Sequence, residues 1–389
     1  VEEREMIGDA KRQRATAALC LVASFWSLSA HADGKATEFY YQENQQRFVI
    51  QPQDARMVGL AGSTALTTSG SISTVTNPAG LGLMKQADAS LSYGHNEISG
   101  NTYPGGEGIK DSQNSGQVYG AVPLGPVKDA LPDYGNLGFG WYGRGGDWSG
   151  DPDNTDTGTY QVSAAYAKAI GDKMALGYGL TYQNDSVDGD TVEYDSTNSF
   201  LQTLGLQVQD SEDLTFGGLV SFGFGDHTVK NRLTPERDQS VDQFSFGVGG
   251  GVEYASGSTS LAGGVDYTYY QNSGNNEIVD TSVWGGDSTA NAMNVRFGIE
   301  ERVLDWLALR VGYLYAANFK WDYDREYLND LSGSATYNSV TMGAGLNYTF
   351  DQDSMIQAIK ADYGAQYRDI GDGDWLHMVT LGTPFDICL

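Results

Sequence analysis

Between residues 87 and 385 the chain reads as fourteen short stretches in which apolar and polar residues alternate, and the connections joining them alternate strictly between long and short. The long ones fall at 96–116, 143–158, 183–198, 225–242, 271–290, 316–337 and 368–374, and the short ones at 125–134, 168–173, 210–213, 255–259, 303–305 and 351–353. Barrels of the bacterial outer membrane have an even number of strands, tight periplasmic turns and long extracellular loops. A soluble sandwich has no reason to sort its connections this way. The pattern predicts an all-β fold, a 14-stranded antiparallel transmembrane β-barrel over 87–385, and the non-alternating residues 33–86 ahead of it suit an N-terminal plug.

The strands support this one by one. Leu307, Leu309, Val311, Tyr313 and Tyr315 share one face of their stretch, while Ala308, Arg310, Gly312 and Leu314 share the other. Met174, Leu176, Tyr178, Leu180 and Tyr182 alternate with Ala175, Gly177, Gly179 and Thr181 in the same way. Large apolar residues toward lipid and small or polar ones toward a lumen is the division a membrane barrel requires. The inner wall is therefore expected to be lined largely by glycine and small residues. Tyrosines gather at strand ends, as at Tyr267, Tyr269 and Tyr270, where amphipathic rings suit the headgroup level. A mean hydropathy of -0.38 carries no weight against a membrane location, because such a barrel spreads its apolar residues over every second position.

Residues 1–32 read as a secretory signal, with a basic cluster at Lys11, Arg12 and Arg14, an apolar run, and Ala30, His31, Ala32 as the cleavage pattern. Residues 1–5, ahead of Met6, read as upstream sequence. The run is short for a membrane helix, and no other stretch approaches about 20 apolar residues, so any crossing is made by strands. Cys20 leaves with the signal, so Cys388 has no partner within the mature chain. A formal net charge of -27 with no basic stripe argues against nucleic acid as a partner. Phe385 closes the last strand, as an assembly signal of outer-membrane barrels does, although residues 386–389 extend past it.

Residues 33–86 do not alternate. They contain Asp54, Ala55, Arg56, Met57, Val58, Gly59, Leu60, Ala61 and Gly62, then small residues, then Asn77, Pro78, Ala79, Gly80 and Leu81. Asn77 can cap a local turn, Pro78 fixes φ and removes a donor, and Gly80 frees the next bend. Irregular backbone of this kind is tolerated at membrane depth only where a barrel shields it from lipid. On these residues the chain resembles the long-chain fatty acid transporter family, the FadL-type barrels, most sharply over 53–100. The resemblance implies a fourteen-stranded barrel, a hatch closing the lumen with Asn77 to Leu81 as its gate, and passage of hydrophobic molecules. It also implies a lateral exit through a kink in the third strand, where Gly138, Gly140 and Gly143 follow Gly135 and would ease a bulge.

The alternation turns Glu253, Asp266, Asn294, Arg296, Glu300, Arg302, Arg310, Lys360 and Asp362 inward. A carboxylate-bearing ligand needs a desolvated cation, which makes Arg296, Arg310 and Lys360 the candidates for holding an acid headgroup. The same residues also read as an internal salt-bridge network that stiffens the barrel without any ligand. Asp151, Asp153, Asn154 and Asp156, and again Asp185, Asp188 and Asp190, read as solvated acidic loops, since neither cluster completes a calcium-loop pattern. The mature chain offers only His95, His227 and His377 as bases, and Asp226 beside His227 gives no facing pair, so no enzyme is expected. No motif implies a cofactor or a metal. The expectation is a passive transporter in the cell outer membrane, in contact with its lipid, carrying fatty acids or other small hydrophobic molecules. A general porin, and a noncatalytic scaffold for secretion with a protein partner, are the alternatives.

Overall fold

The computed structural model describes residues 54–101, 108–124, 134–149, 154–189, 192–231, 239–274, 288–323, 331–350, 356–368 and 374–385. The signal at 1–32, residues 33–53 and the extension at 386–389 lie outside them. Fourteen strands follow one another around a closed barrel, each antiparallel to its sequence neighbours. They are β1 (Ala87–Asn101), β2 (Gly108–Pro123), β3 (Asn136–Ser149), β4 (Asn154–Ile170), β5 (Met174–Gly189), β6 (Val192–Gln209) and β7 (Leu214–Asn231). The second half comprises β8 (Gln239–Ser256), β9 (Thr259–Gly274), β10 (Ser288–Leu304), β11 (Leu307–Tyr323), β12 (Leu331–Thr349), β13 (Ala358–Arg368) and β14 (Asp374–Phe385). The first and last strands close the wall, pairing from Ala87 with Phe385 up to Ile98 with Asp374. Closure leaves no edge strand with unpaired backbone groups, the condition for standing in lipid.

The outside carries the residues the alternation placed there. Leu176, Leu204, Leu309, Phe139, Val265 and Val379 are all exposed, which in water would be an untenable apolar surface and in a bilayer is the expected one. Aromatic side chains meet across neighbouring strands: Tyr182 with Phe200 at 5.3 Å, Phe222 with Phe246 at 5.4 Å, Phe224 with Phe244 at 5.5 Å and Tyr367 with Trp375 at 5.2 Å between ring centres. Each couple consists of direct ladder partners. Since a slip of one residue would turn every side chain to the other face, these contacts reinforce a register already set by lipid and lumen.

The connections correct one expectation. Strands run well past the apolar band, so much of what reads as long loop is strand: β5 reaches Gly189 and β6 starts at Val192, leaving only residues 190–191 between them. The ladder continues because backbone pairing is indifferent to whether side chains are polar. What alternates along the sequence is apolar against polar surroundings, not turn against loop. Asp226 and His227 are likewise consecutive residues of β7 and not of a loop.

The third strand corrects another. From Asn136 to Ser149, β3 pairs without a register shift with β2 on one side and β4 on the other, so the kink expected at Gly138, Gly140 and Gly143 is absent. Those glycines make room for side chains. A Cβ at Gly138 would meet Thr74 and Leu81, one at Gly140 would stand 2.7 Å from the Tyr119 ring, and one at Gly143 would stand 2.8 Å from the Trp141 ring. The register shifts that do occur lie elsewhere, in β5–β6, β6–β7, β10–β11 and β11–β12.

Candidate functional site

Residues 54–86 lie inside the barrel near the end where the short turns are. A single helical turn, α1 (Ala55–Gly59), packs against β11 to β14, a 3-10 turn at Ser71–Thr74 against β1 to β4, and a second at Pro78–Leu83 against β3 to β6. The segment thus spans the bore. Asp54 caps α1 by accepting a hydrogen bond from the Met57 amide at 2.6 Å. The chain then turns sharply through Ala61 and Gly62, with φ of 54 and 73, and the Gly62 amide donates to the Met57 carbonyl at 2.7 Å.

Asn77, Pro78, Ala79, Gly80 and Leu81 form one buried turn, as their chemistry suggests. The Asn77 side-chain oxygen accepts from the Ala79 amide at 3.2 Å, and Pro78 occupies the first helical position, where no donor is missed. The Asn77 Nδ2 donates to the Leu66 carbonyl at 2.7 Å and to the Leu206 carbonyl of β6 at 3.1 Å, so one amide joins both arms of the segment to the wall. Leu81 is fully buried with Met84, Ala121, Ala165 and Ala167. Changing Asn77 to alanine leaves the buried Leu66 carbonyl and the part-buried Leu206 carbonyl without that donor, at a cost of about 1–3 kcal/mol. The expected outcome is a lower temperature at which the barrel loses its compact gel mobility, with the folded band itself retained.

The wall meets the segment with a spiral of inward glycines. A Cβ at Gly177 would collide with Pro78 and Ala79, at Gly205 with Asn77, at Gly217 with the Leu66 carbonyl, at Gly312 with Leu60 and Ala61, and at Gly364 with Ala55 and Val58. Gly177 and Gly205 are ladder partners, as are Gly217 and Gly251, Gly298 and Gly312, and Gly343 and Gly364. Removing side chains at these positions lets the irregular backbone seat directly on the strands.

Polar side chains complete the fit. Asn136 at the foot of β3 donates to the Leu81 carbonyl at 2.7 Å, Gln207 to the Thr67 carbonyl at 2.7 Å, and Thr341 to the Gly59 carbonyl at 3.0 Å. The Ala55 amide donates to the Thr380 hydroxyl at 2.8 Å and the Ser71 amide to Asp88 at 2.7 Å. Arg56, the one cation of α1, reaches Glu300 at 3.0 Å and Glu253 at 3.1 Å. Burial opposes its charge, and the carboxylates of Glu300 and Glu253 outweigh that, so its pKa stands above the ordinary arginine value. A cavity of about 630 Å³ lies beside this clamp, lined among others by Asp54, Arg56, Lys85, Glu253, Lys360 and Asp362.

The three cations singled out for a headgroup do not converge. Arg296 is ion-paired with Asp266, which also accepts from Asn294 at 2.9 Å. Arg310 bonds Glu300 and Asp362, each at 2.5 Å. Lys360 is exposed on the cavity wall. Among the described residues the internal network is therefore the arrangement found. Asp185, read as a loop acid, is instead a buried inward residue of β5 that accepts from Thr159 at 2.6 Å and Gln183 at 2.7 Å. Sequence reasoning missed Asn136, Gln207, Thr341 and Thr380, which look like ordinary inward polar positions, and gave Arg56 no role. A cation inside an otherwise small-residue segment was the available signal.

No protein-family model matches the sequence, and no curated relative does. Similar solved structures are a FadL homologue from Pseudomonas aeruginosa, with 12% identity and a TM-score of 0.59 over 87% of this chain and 99% of that one, and the toluene transporter TodX of P. putida, with 11% identity and 0.56 over 87% and 100%. The toluene transporter TbuX of Ralstonia pickettii aligns with 13% identity and 0.54 over the same shares, 87% and 100%. At these identities the likeness is one of fold: this chain has the barrel architecture of the FadL-type channels.

Proposed function

We propose that the protein is an outer-membrane channel for small hydrophobic molecules, with residues 54–86 as its plug and passive movement controlled by that plug. The observation that carries the reading is the manner in which the segment is held. Its backbone rests on glycines, and its anchors are hydrogen bonds and ion pairs from Asn77, Asn136, Thr341 and Arg56, which water can replace. A segment meant only to fill the barrel would be better served by continuous apolar packing. The fold shared with channels whose names record toluene transport supports the same reading. Fatty acids fall within the proposed class by size.

Locking the segment tests the gate. The Ser71 and Ser90 hydroxyl oxygens are 3.1 Å apart, one on the segment and one on β1, so cysteines at both positions, with Cys388 changed to serine, are placed to cross-link. Cells relying on this channel should lose uptake of a labelled hydrophobic probe on oxidation and regain it on reduction. Uptake indifferent to the cross-link sinks the gate. A porin would need a water-filled bore, whereas the inward Gln117, Gln183, Ser199, Gln243 and Thr341 are buried. The secretion scaffold is favoured by that same buried polar lining, and it predicts no uptake in either redox state.

A further inference from the structure

We infer that the passage discriminates by charge and takes uncharged molecules in preference to those bearing a carboxylate or phosphate. The inference rests on the channel reading. Three guanidiniums, those of Arg56, Arg296 and Arg310, face the interior near the plug, and four carboxylates, those of Glu253, Asp266, Glu300 and Asp362, already engage them. Arg310 spends Nε on Glu300 and Nη1 on Asp362, and Arg56 spends Nε on Glu300 and Nη2 on Glu253. Glu253 is further held by Thr67 at 2.9 Å and Ser260 at 3.0 Å, so its position is fixed from both the plug and the wall.

An anionic headgroup seeking one of these arginines has to compete with, or stand beside, wall carboxylates that already neutralise it, which leaves a partly buried negative charge short of a counter-charge. The cavity beside the clamp offers no alternative. Lys85 and Lys360 line it, yet with Arg56 they face six acids there: Asp54, Asp88, Glu212, Asp213, Glu253 and Asp362. Like charges brought together in a confined site disfavour the anion strongly. Further along the bore the lining is mostly amide and hydroxyl, and its charged members are held: Asp185 accepts from Thr159 and Gln183, and Arg368 donates to Asn96 at 3.1 Å. Gln161 donates to Gln183 at 2.6 Å, Gln366 to Ser339 at 2.8 Å, and Tyr119 to Gln117 at 3.2 Å. Amides and hydroxyls of this kind exchange hydrogen bonds with a hydroxyl or slide past an apolar chain without any charge to satisfy.

The test uses a matched pair, decanol and decanoate, labelled and offered to cells whose other hydrophobic uptake routes are removed, at a pH where the acid is ionised. Decanol uptake should exceed decanoate uptake by at least about tenfold. The full-length Asp266→Asn variant removes the carboxylate that neutralises Arg296 and should raise decanoate uptake several-fold relative to decanol uptake in the same cells. If that variant fails to assemble, Asp362→Asn, which frees one arm of Arg310, carries the same expectation. Decanoate entering as fast as decanol, or no gain in an assembled charge variant, overturns the charge selection and leaves the channel standing. Neither probe entering above the channel-free background overturns the channel reading, and the selection with it.

Discussion

Replacing Arg56 with methionine should make the barrel leak ions, raising its conductance in a planar bilayer by on the order of tenfold over the native chain. Methionine keeps length and flexibility, so packing around α1 changes little, but the links to Glu300 and Glu253 are lost. Removing one partner of a fully buried pair costs about 3–5 kcal/mol because the other charge is stranded. Here the Arg56 side chain is 27% exposed and Glu300 keeps Arg310, so the loss is smaller, about 2 kcal/mol after allowance for screening. That suffices to shift a closed-to-open balance by more than tenfold, since each tenfold step takes about 1.4 kcal/mol. A barrel lacking residues 54–81 sets the fully open limit. Native conductance in a methionine variant of normal gel mobility would show that the clamp does not hold the plug.

The wall of this barrel was legible in the sequence because every second residue reports its surroundings. Leu176 and Leu309 face out, and Gly177 and Gly312 face in, where alternation put them. The ends of the strands were not legible, because above the apolar band both faces are polar and the alternation fades while the hydrogen bonds continue. Within the segment, Asn77 and Pro78 were readable from local chemistry, since capping and a fixed φ act over three or four residues. Its partners were not. Leu206 lies 129 positions away from Asn77, and Glu253 and Glu300 lie 197 and 244 away from Arg56, separations that no local rule connects. The glycines of the third strand were misread for a related reason. A missing side chain signals either a bend or a neighbour, and at Gly138 and Gly140 the neighbours are Thr74, Leu81 and Tyr119.

That ambiguity makes neighbouring glycines on β7 the sharpest probe of the inner wall. Gly217 points inward, and a Cβ there would run into the Leu66 carbonyl, the acceptor that the Asn77 amide holds at 2.7 Å. Gly218 points outward, where the nearest atom to an added Cβ is the Gly249 carbonyl at an ordinary 3.6 Å. Valine at 218 should be neutral or slightly stabilising, since a β-branched residue suits a strand and lipid accepts it. Valine at 217 has no space, and because the obstacle is backbone on both sides the strain is at least the 1–3 kcal/mol or so typical of an overpacked core. The strand is tied into the wall on both edges, so the segment has to yield, and the bond from Asn77 to Leu66 breaks with it. Brief proteolysis of the Gly217→Val barrel should therefore nick the chain within residues 54–86 while the strands stay intact, and conductance should rise with the nicking. The Gly218→Val barrel should resist as the native one does. Equal behaviour of the two would mean that the inward glycines are not a seat for the plug.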